Sequence, residues 1–265
     1  NDDNNYPYGK TIINVGLLFR NKINDKHVFE LCYDEYAFAD TLLKINPDYL
    51  NSINPNTNFL SLVYLFKSDY RNVVNYPLHG YYFDLNISKI GLGILDDKVD
   101  FFRIKSNYKR YWKYKKRWYI AASVSMVYST QEKQPFFLNM ALGTNKYTVR
   151  SYEFNVVNGN SYGLFRSNLK YALIPRRTAY FDFIPVEQFK KAFYALYLNA
   201  FIDCGYVHGF EKWQNVDKNY LVNKLLVGRG VGIDFVTYYD KVFGLEYSWH
   251  DFDKGAFFVH FIAPI

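Results

Sequence analysis

The sequence predicts an all-β chain: an antiparallel up-and-down β-barrel that crosses a membrane with its strands. Three observations predict it. Apolar and polar residues alternate with a period of two along almost the whole chain, the period of a strand with one greasy and one wet face. The alternating segments run about ten to sixteen residues, against roughly 5–6 for an ordinary globular strand, while roughly 9–11 tilted residues match a bilayer core. Aromatic residues make up 21% of the 265-residue chain, with 27 Tyr, 24 Phe and 4 Trp, and such rings favour strands and wet–dry boundaries.

About eleven segments carry the pattern. They begin near Lys10, Lys26, Asn58, Gly80, Lys98, Arg117, Ser161, Lys191, Val227, Lys241 and Ala256. Between Tyr81 and Lys89, Phe83, Leu85 and Ile87 oppose Asp84, Asn86 and Ser88. Between Phe165 and Tyr171, Phe165, Leu169 and Tyr171 oppose Arg166, Asn168 and Lys170. Near the end, Phe243, Leu245, Tyr247 and Trp249 oppose Gly244, Glu246 and Ser248, and then Phe257, Val259 and Phe261 alternate with Phe258 and His260. Helical signals are confined to a turn or two around Ala39 to Leu50 and around Val186 to Phe193. Long connections over 40–57, 131–160 and 207–226 alternate with tight ones over 21–26, 112–116 and 239–241, the asymmetry of an outer-membrane barrel. Two connections break the alternation: Pro175 to Lys190 is long on the short side, and Ile94 to Asp97 is short on the long side. Tyr111, Trp112, Tyr114, Trp118 and Tyr119 bracket one tight turn, as an interfacial girdle would. The competing reading of the same alternation is a soluble β-sandwich or lipocalin-like barrel with its apolar face turned inward.

Other classes are disfavoured by composition. No apolar run reaches the roughly 18 residues of a spanning helix; Ala192 to Ile202 is too short and contains Asn199. The opening Asn1-Asp2-Asp3-Asn4-Asn5 has neither the basic flank nor the apolar core of a signal peptide. With no initiating Met, the chain reads as a processed or partial piece of something longer. Cys32 and Cys204 are too few for a disulfide scaffold and read as small strand residues. His27, His79, His208, His250 and His260 lack ligand spacing, so no metal or other cofactor is expected. Gly159-Asn160-Ser161-Tyr162-Gly163 has the form of a nucleophile elbow, but alternating strand follows it where a helix is required, and no enzyme activity is expected. The net charge of +7 permits nucleic acid or an anionic membrane. The basic and aromatic run Lys109 to Trp118 sits at a tight turn, where Lys and Arg reach headgroup phosphates and rings anchor the interface; no nucleic-acid partner is expected.

Within the longest connection stands Gly143-Thr144-Asn145-Lys146-Tyr147-Thr148-Val149-Arg150-Ser151-Tyr152-Glu153. In this context Val149, Arg150, Ser151 and Tyr152 resemble the Val-Arg-Gly-Phe/Tyr motif of the outer-membrane assembly barrels that include BamA, TamA and the secretion pore FhaC, the bacterial surface antigen family. There the motif lies in a long sixth extracellular loop that folds back into the lumen. Ser151 stands where the family has Gly. Further matches follow in the family's order. Phe201-Ile202-Asp203-Cys204-Gly205 resembles the strand whose Asp pairs with the loop Arg. Gly232-Ile233-Asp234-Phe235 and Gly244-Leu245-Glu246-Tyr247 resemble the penultimate strands, and Tyr76-Pro77-Leu78-His79-Gly80 resembles a turn entering an earlier one. The likeness covers roughly residues 70 to 265. An aromatic terminal strand, with Phe257, Val259 and Phe261 on one face, resembles an outer-membrane targeting signal and the last strand of the family's lateral gate.

The resemblance implies a buried Arg150 locked by carboxylates, which a desolvated guanidinium requires. Asp203 is the first partner. The family's second, a Glu, falls at Lys170 here, so either Glu153, Glu246 or Asp234 substitutes or the loop lock is weaker. Gly228, Gly230 and Gly232 share one strand face; either the folded-in loop packs against them or the strand bends locally there. The chain is thus expected to be about the last eleven strands of a sixteen-stranded barrel spanning residues 1–265, with the long loop at about 131–160. Counting back from the terminus makes that loop extracellular and the terminus periplasmic. An odd strand count cannot close such a barrel, so earlier strands and any periplasmic domains are expected outside this chain. The implied function is insertion or translocation of outer-membrane polypeptides, with outer-membrane lipid, client polypeptides and periplasmic or lipoprotein accessory subunits as partners. The alternatives are a barrel that anchors a fused patatin-like or phosphoesterase enzyme, and a passive pore.

Overall fold

The computed structural model describes residues 8–45, 49–50, 54–95, 98–144, 147–180, 190–209, 220–237, 241–251, 253–261 and 265. Eleven long strands form one antiparallel sheet: β1 (Tyr8–Lys22), β2 (Asp25–Phe38), β3 (Asn56–Asp69), β4 (Gly80–Ile90), β5 (Phe101–Lys115), β6 (Trp118–Ser129), β9 (Ser161–Tyr180), β10 (Lys191–His208), β11 (Leu225–Thr237), β12 (Lys241–His250) and β13 (Asp253–His260). Each begins within three residues of the start that alternation predicts. Between β6 and β9 the chain forms a short 3₁₀ turn (Phe136–Leu138) and a two-stranded hairpin of β7 (Met140–Leu142) and β8 (Val157–Gly159), neither of which the alternation signals. The expected helical turn appears as α1 (Asp40–Ile45). Of the second, 186–189 lie outside the described residues and 191–193 are already strand.

Every strand of the large sheet pairs with its sequence neighbours, so the sheet is a meander with β1 and β13 as its two edges. Its connections segregate. Turns at 23–24, 116–117 and 70–79 emerge at one end, hereafter the turn end. Connections 39–55, 91–100, 130–160 and 209–224 emerge at the other, the loop end.

The faces segregate as sharply. On β9 the residues 162, 164, 166, 168, 170 and 172 are buried, while Phe165 and Leu169 are 42% and 41% exposed. On β5 and β6, Phe102, Ile104, Tyr108, Val124, Met126 and Tyr128 all point outward. A soluble sandwich would cover this face with a second sheet about 10 Å away; among the described residues the only other sheet is the three-residue pair β7–β8. The outward run from Trp118 to Tyr128 spans ten residue steps along β6, which at roughly 3.3 Å per residue and ~40° tilt is about 25 Å, the height of a barrel's apolar band. The chain is therefore an outward-apolar barrel sheet, open where β1 and β13 fail to meet.

The inner face is less uniformly polar than the alternation suggests. It carries apolar clusters wherever a connection folds inside. At the loop end, Leu142, Val149, Tyr152 and Val157 of the 130–160 connection pack on Tyr162, Leu164, Val207 and Leu226 of the wall. A second cluster joins Leu50 and Leu138 to Tyr36, Phe38, Phe59 and Phe101. At the turn end, Tyr76 packs on Ala172, Ala195, Tyr197, Val236 and Val242. Between the loop-end and turn-end layers, β9 to β12 present Arg166, Asn168, Lys170, Asn199, Asp203, Asp234, Glu246 and Ser248, all buried.

Candidate functional site

The site is assembled where the 130–160 connection turns back into the sheet. Its hairpin starts at Gly143, whose φ of +93° suits glycine. Val149 descends onto Gly205 of β10, where a Cβ would run into its methyl group. The next residue places Arg150 against the inner wall with 2% of its side chain exposed.

Arg150 is saturated. Its Nε donates to Asp203 Oδ2 and its Nη2 to Asp203 Oδ1, both at 2.7 Å, and its backbone N–H donates to the same carboxylate at 3.2 Å. Nη1 donates to Asn168 Oδ1 at 3.1 Å and Nη2 to the Ser167 carbonyl at 3.0 Å. Glu246 Oε1 lies 3.5 Å from Nη1. The guanidinium plane sits over the Phe201 ring, 3.6 Å from its centroid. Burial opposes the charge, but the hydrogen bonds and charge of Asp203 outweigh it and raise the pKa of Arg150 above its ordinary value. A forked, planar cation fits a carboxylate with two parallel bonds, which lysine cannot do.

The three acidic residues expected to share the second role diverge. Glu246 reaches Arg150. Glu153 instead lies 3.2 Å from His260 Nε2 on β13, and Glu246 Oε2 lies 3.5 Å from the same nitrogen. Asp234 accepts a 2.8 Å hydrogen bond from the Tyr76 hydroxyl. Lys170 points its Nζ at the Tyr76 ring, 4.1 Å from the centroid, without a hydrogen-bond partner among the described residues.

The glycine row on β11 makes room for this arrangement. A Cβ at Gly228 would strike the Arg150 carbonyl oxygen, one at Gly230 the Phe201 ring beneath the guanidinium, and one at Gly232 the Glu246 and Asn199 side chains. Pairing with β10 and β12 is continuous through all three, with no bulge. Ser151 adopts φ +82°, so the backbone makes the left-handed turn with serine where glycine would do so without strain.

Tyr152 stacks on His250 of β12 at 4.0 Å between centroids, and Phe154 lies 5.5 Å from Phe258 of β13. Phe257, Val259 and Phe261 are exposed on the opposite face. Asn168, Phe201, Gly205 and His260 join the site although the sequence did not mark any of them as a partner of the loop. Asn168 and Gly205 were legible as inner-face residues; Phe201 and His260 carried no signal for contact with the loop. Ser161 opens β9 with no helix after it, and its Oγ accepts from the Ser129 backbone.

No family model and no curated protein matches the sequence. Solved structures do match. The crystal structure of BamA from Haemophilus ducreyi lacking POTRA domains 1–3 superposes with a TM-score of 0.64 over 96% of this chain and 53% of that one, at 12% identity. The fold is that of the BamA barrel. CdiB from Escherichia coli shares it, with a TM-score of 0.55, 97% and 44% coverage and again 12% identity. The chain thus spans about half the length of these BamA-fold structures.

Proposed function

We propose that this chain is the C-terminal part of an outer-membrane barrel that inserts or translocates outer-membrane polypeptides. The observation that carries the reading is Arg150, held by the bonds from its Nε and Nη2 to Asp203 at the inner wall, because it makes a long loop a fixed lumenal element. A passive pore gains nothing from a plug fixed in this way. Two further features support it. Among the described residues β13 ends the sheet with an unpaired outer edge, and such an edge templates added strands. The outer face is apolar to the depth of a bilayer core. Strands outside this chain close the barrel between β1 and β13, clients enter at the seam beside β13, and outer-membrane lipid and periplasmic or lipoprotein subunits are the remaining partners.

The test is assembly by the full-length protein in proteoliposomes, read as protease-protected folding of an unfolded outer-membrane barrel client. Arg150→Ala and Asp203→Ala should each slow client folding about tenfold or more while the carrier itself stays folded. Unchanged client folding in both variants would reject the reading.

A further inference from the structure

The turn 70–79 emerges at the turn end, yet Tyr76 does not stay there. It runs inside the sheet, is 2% exposed, and packs on Ala172 of β9, Ala195 and Tyr197 of β10, Val236 of β11 and Val242 of β12. Its hydroxyl donates to Asp234, 158 residues away along the chain. Its ring lies 5.1 Å from that of Tyr197 and beneath Lys170. The turn is itself braced: Arg71 donates from Nε and Nη2 to Asp69 at 2.8 and 2.7 Å, and Asn72 Oδ1 accepts from the Leu78 and His79 backbones. Burial, then the Asp234 charge, push the Tyr76 phenol well above its ordinary pKa, so it remains a donor.

Each wall strand records the same three layers in its inward residues. On β10 these are Val207 and Gly205 under the loop, Asp203 and Phe201 at Arg150, then Tyr197 and Ala195 at Tyr76. Asp203 and Tyr197 are six residues apart, roughly 20 Å along a strand. The intervening layer holds Lys170, which pairs with Asn199 across β9 and β10 and whose Nζ finds no hydrogen-bond partner among the described residues; a buried cation of this kind calls for water. The lumen along β9–β12 is thus a polar chamber with an apolar layer at both ends.

We infer that Tyr76 seals the lumen a second time, at the turn end, so that releasing the Arg150 loop alone does not open a continuous path. Building on the proposed function, this assigns the resting barrel to insertion at the sheet edge, with the lumen closed to a passing polypeptide. Tyr76 acts as a positioning residue: it holds the 70–79 turn across the lumen through Asp234.

Single-channel conductance of the full-length protein in planar lipid bilayers tests it, independently of any client. Arg150→Ala and Tyr76→Ala should each stay within about twofold of the parent's open probability, and the double variant should rise at least tenfold. Tyr76→Phe keeps the ring and loses only the hydroxyl; in the Arg150→Ala background it should give an intermediate increase, which guards against a misfolded alanine variant. A double variant no more conductive than Arg150→Ala, with Tyr76→Phe equally silent, would overturn the second seal. Since no client is present, that result leaves the assembly reading standing, and loss of assembly with the two-step conductance intact would do the reverse.

Discussion

Glu153 of the inserted loop and His260 of the last strand meet at 3.2 Å between Oε1 and Nε2. This contact fastens the free edge of the sheet from the inside. Together with Tyr152 on His250 and Phe154 on Phe258, it gives three successive loop residues a hold on β12 and β13, while among the described residues β13 has a hydrogen-bonded neighbour on one side only. An edge strand frays readily unless something else holds it. Glu153→Ala should therefore speed amide hydrogen exchange over residues 255–260 about fivefold to tenfold, equivalent to roughly 1 kcal/mol for a partly buried polar contact. Exchange in β9 and β10 should not change. Equal acceleration in β10, or none in β13, would show that the loop does not support the edge.

Arg150 and Asp203 form a unit, and their energetics should show it. Removing one member of a buried ion pair leaves the other charged and unsolvated, at a cost of about 3–5 kcal/mol. Removing the second relieves that charge. In urea titrations of the detergent-folded protein, Arg150→Ala and Asp203→Ala should each destabilise strongly and the double variant should be little worse than either. Additive losses would mean that each acts through other partners, such as Asn168 or Glu246.

The strands were legible because their signal is local. A period of two runs along most of each, and the starts of the segments shift by no more than three residues. The Arg150–Asp203 pair was legible only through motifs in a shared order, since 53 residues separate them. The choice among Glu153, Glu246 and Asp234 was not legible. It depends on how far the sheet curls and on Tyr76 crossing the lumen to engage Asp234, and no local pattern encodes either. The inner face looked wholly polar for the same reason: the apolar side chains that cover Leu164 or Val236 come from distant connections.

Two glycines on different faces offer a controlled comparison. Gly228 faces inward, where a Cβ would meet the Arg150 carbonyl oxygen; Gly163 faces outward, with nothing within 4 Å of a Cβ. A rotamer change cannot relieve a clash with backbone, so the loop itself must move. Gly228→Ala should cost about 1–3 kcal/mol and expose the 130–160 loop to added protease, raising its cleavage rate about tenfold. Gly163→Ala should stay within about 0.5 kcal/mol of the parent. Similar behaviour of the two would detach the glycine row from loop packing.

From Phe101 to Thr130 the chain contains no Asp or Glu, while Lys113, Lys115, Lys116 and Arg117 crowd the β5–β6 turn. Tyr114 and Trp118, 62% and 38% exposed, lie beside them at the rim of the apolar band. Cations at that level attract anionic headgroups at about 1 kcal/mol each. Replacing these four residues by Gln should slow folding into vesicles containing phosphatidylglycerol severalfold, with little effect in pure phosphatidylcholine. Equal slowing in both lipids would point to a structural role for the turn.

Among the described residues of the site, Ser151 is the one non-glycine with a positive φ. Its φ of +82° costs a residue with a Cβ roughly 1–2 kcal/mol, a strain tolerated because Arg150 before it and Tyr152 after it are both anchored. Glycine removes the steric penalty but adds freedom to the unfolded chain, worth about 0.5–1 kcal/mol in the opposite direction. Among the described residues the Ser151 hydroxyl has no hydrogen-bond partner to lose. The net expectation for Ser151→Gly is a stabilisation of about 0.5–1 kcal/mol, read as a higher urea midpoint with an unchanged slope. In the Arg150→Ala background the gain should vanish, because the released loop no longer has to hold the turn. A gain of equal size in both backgrounds would place the strain outside the lock.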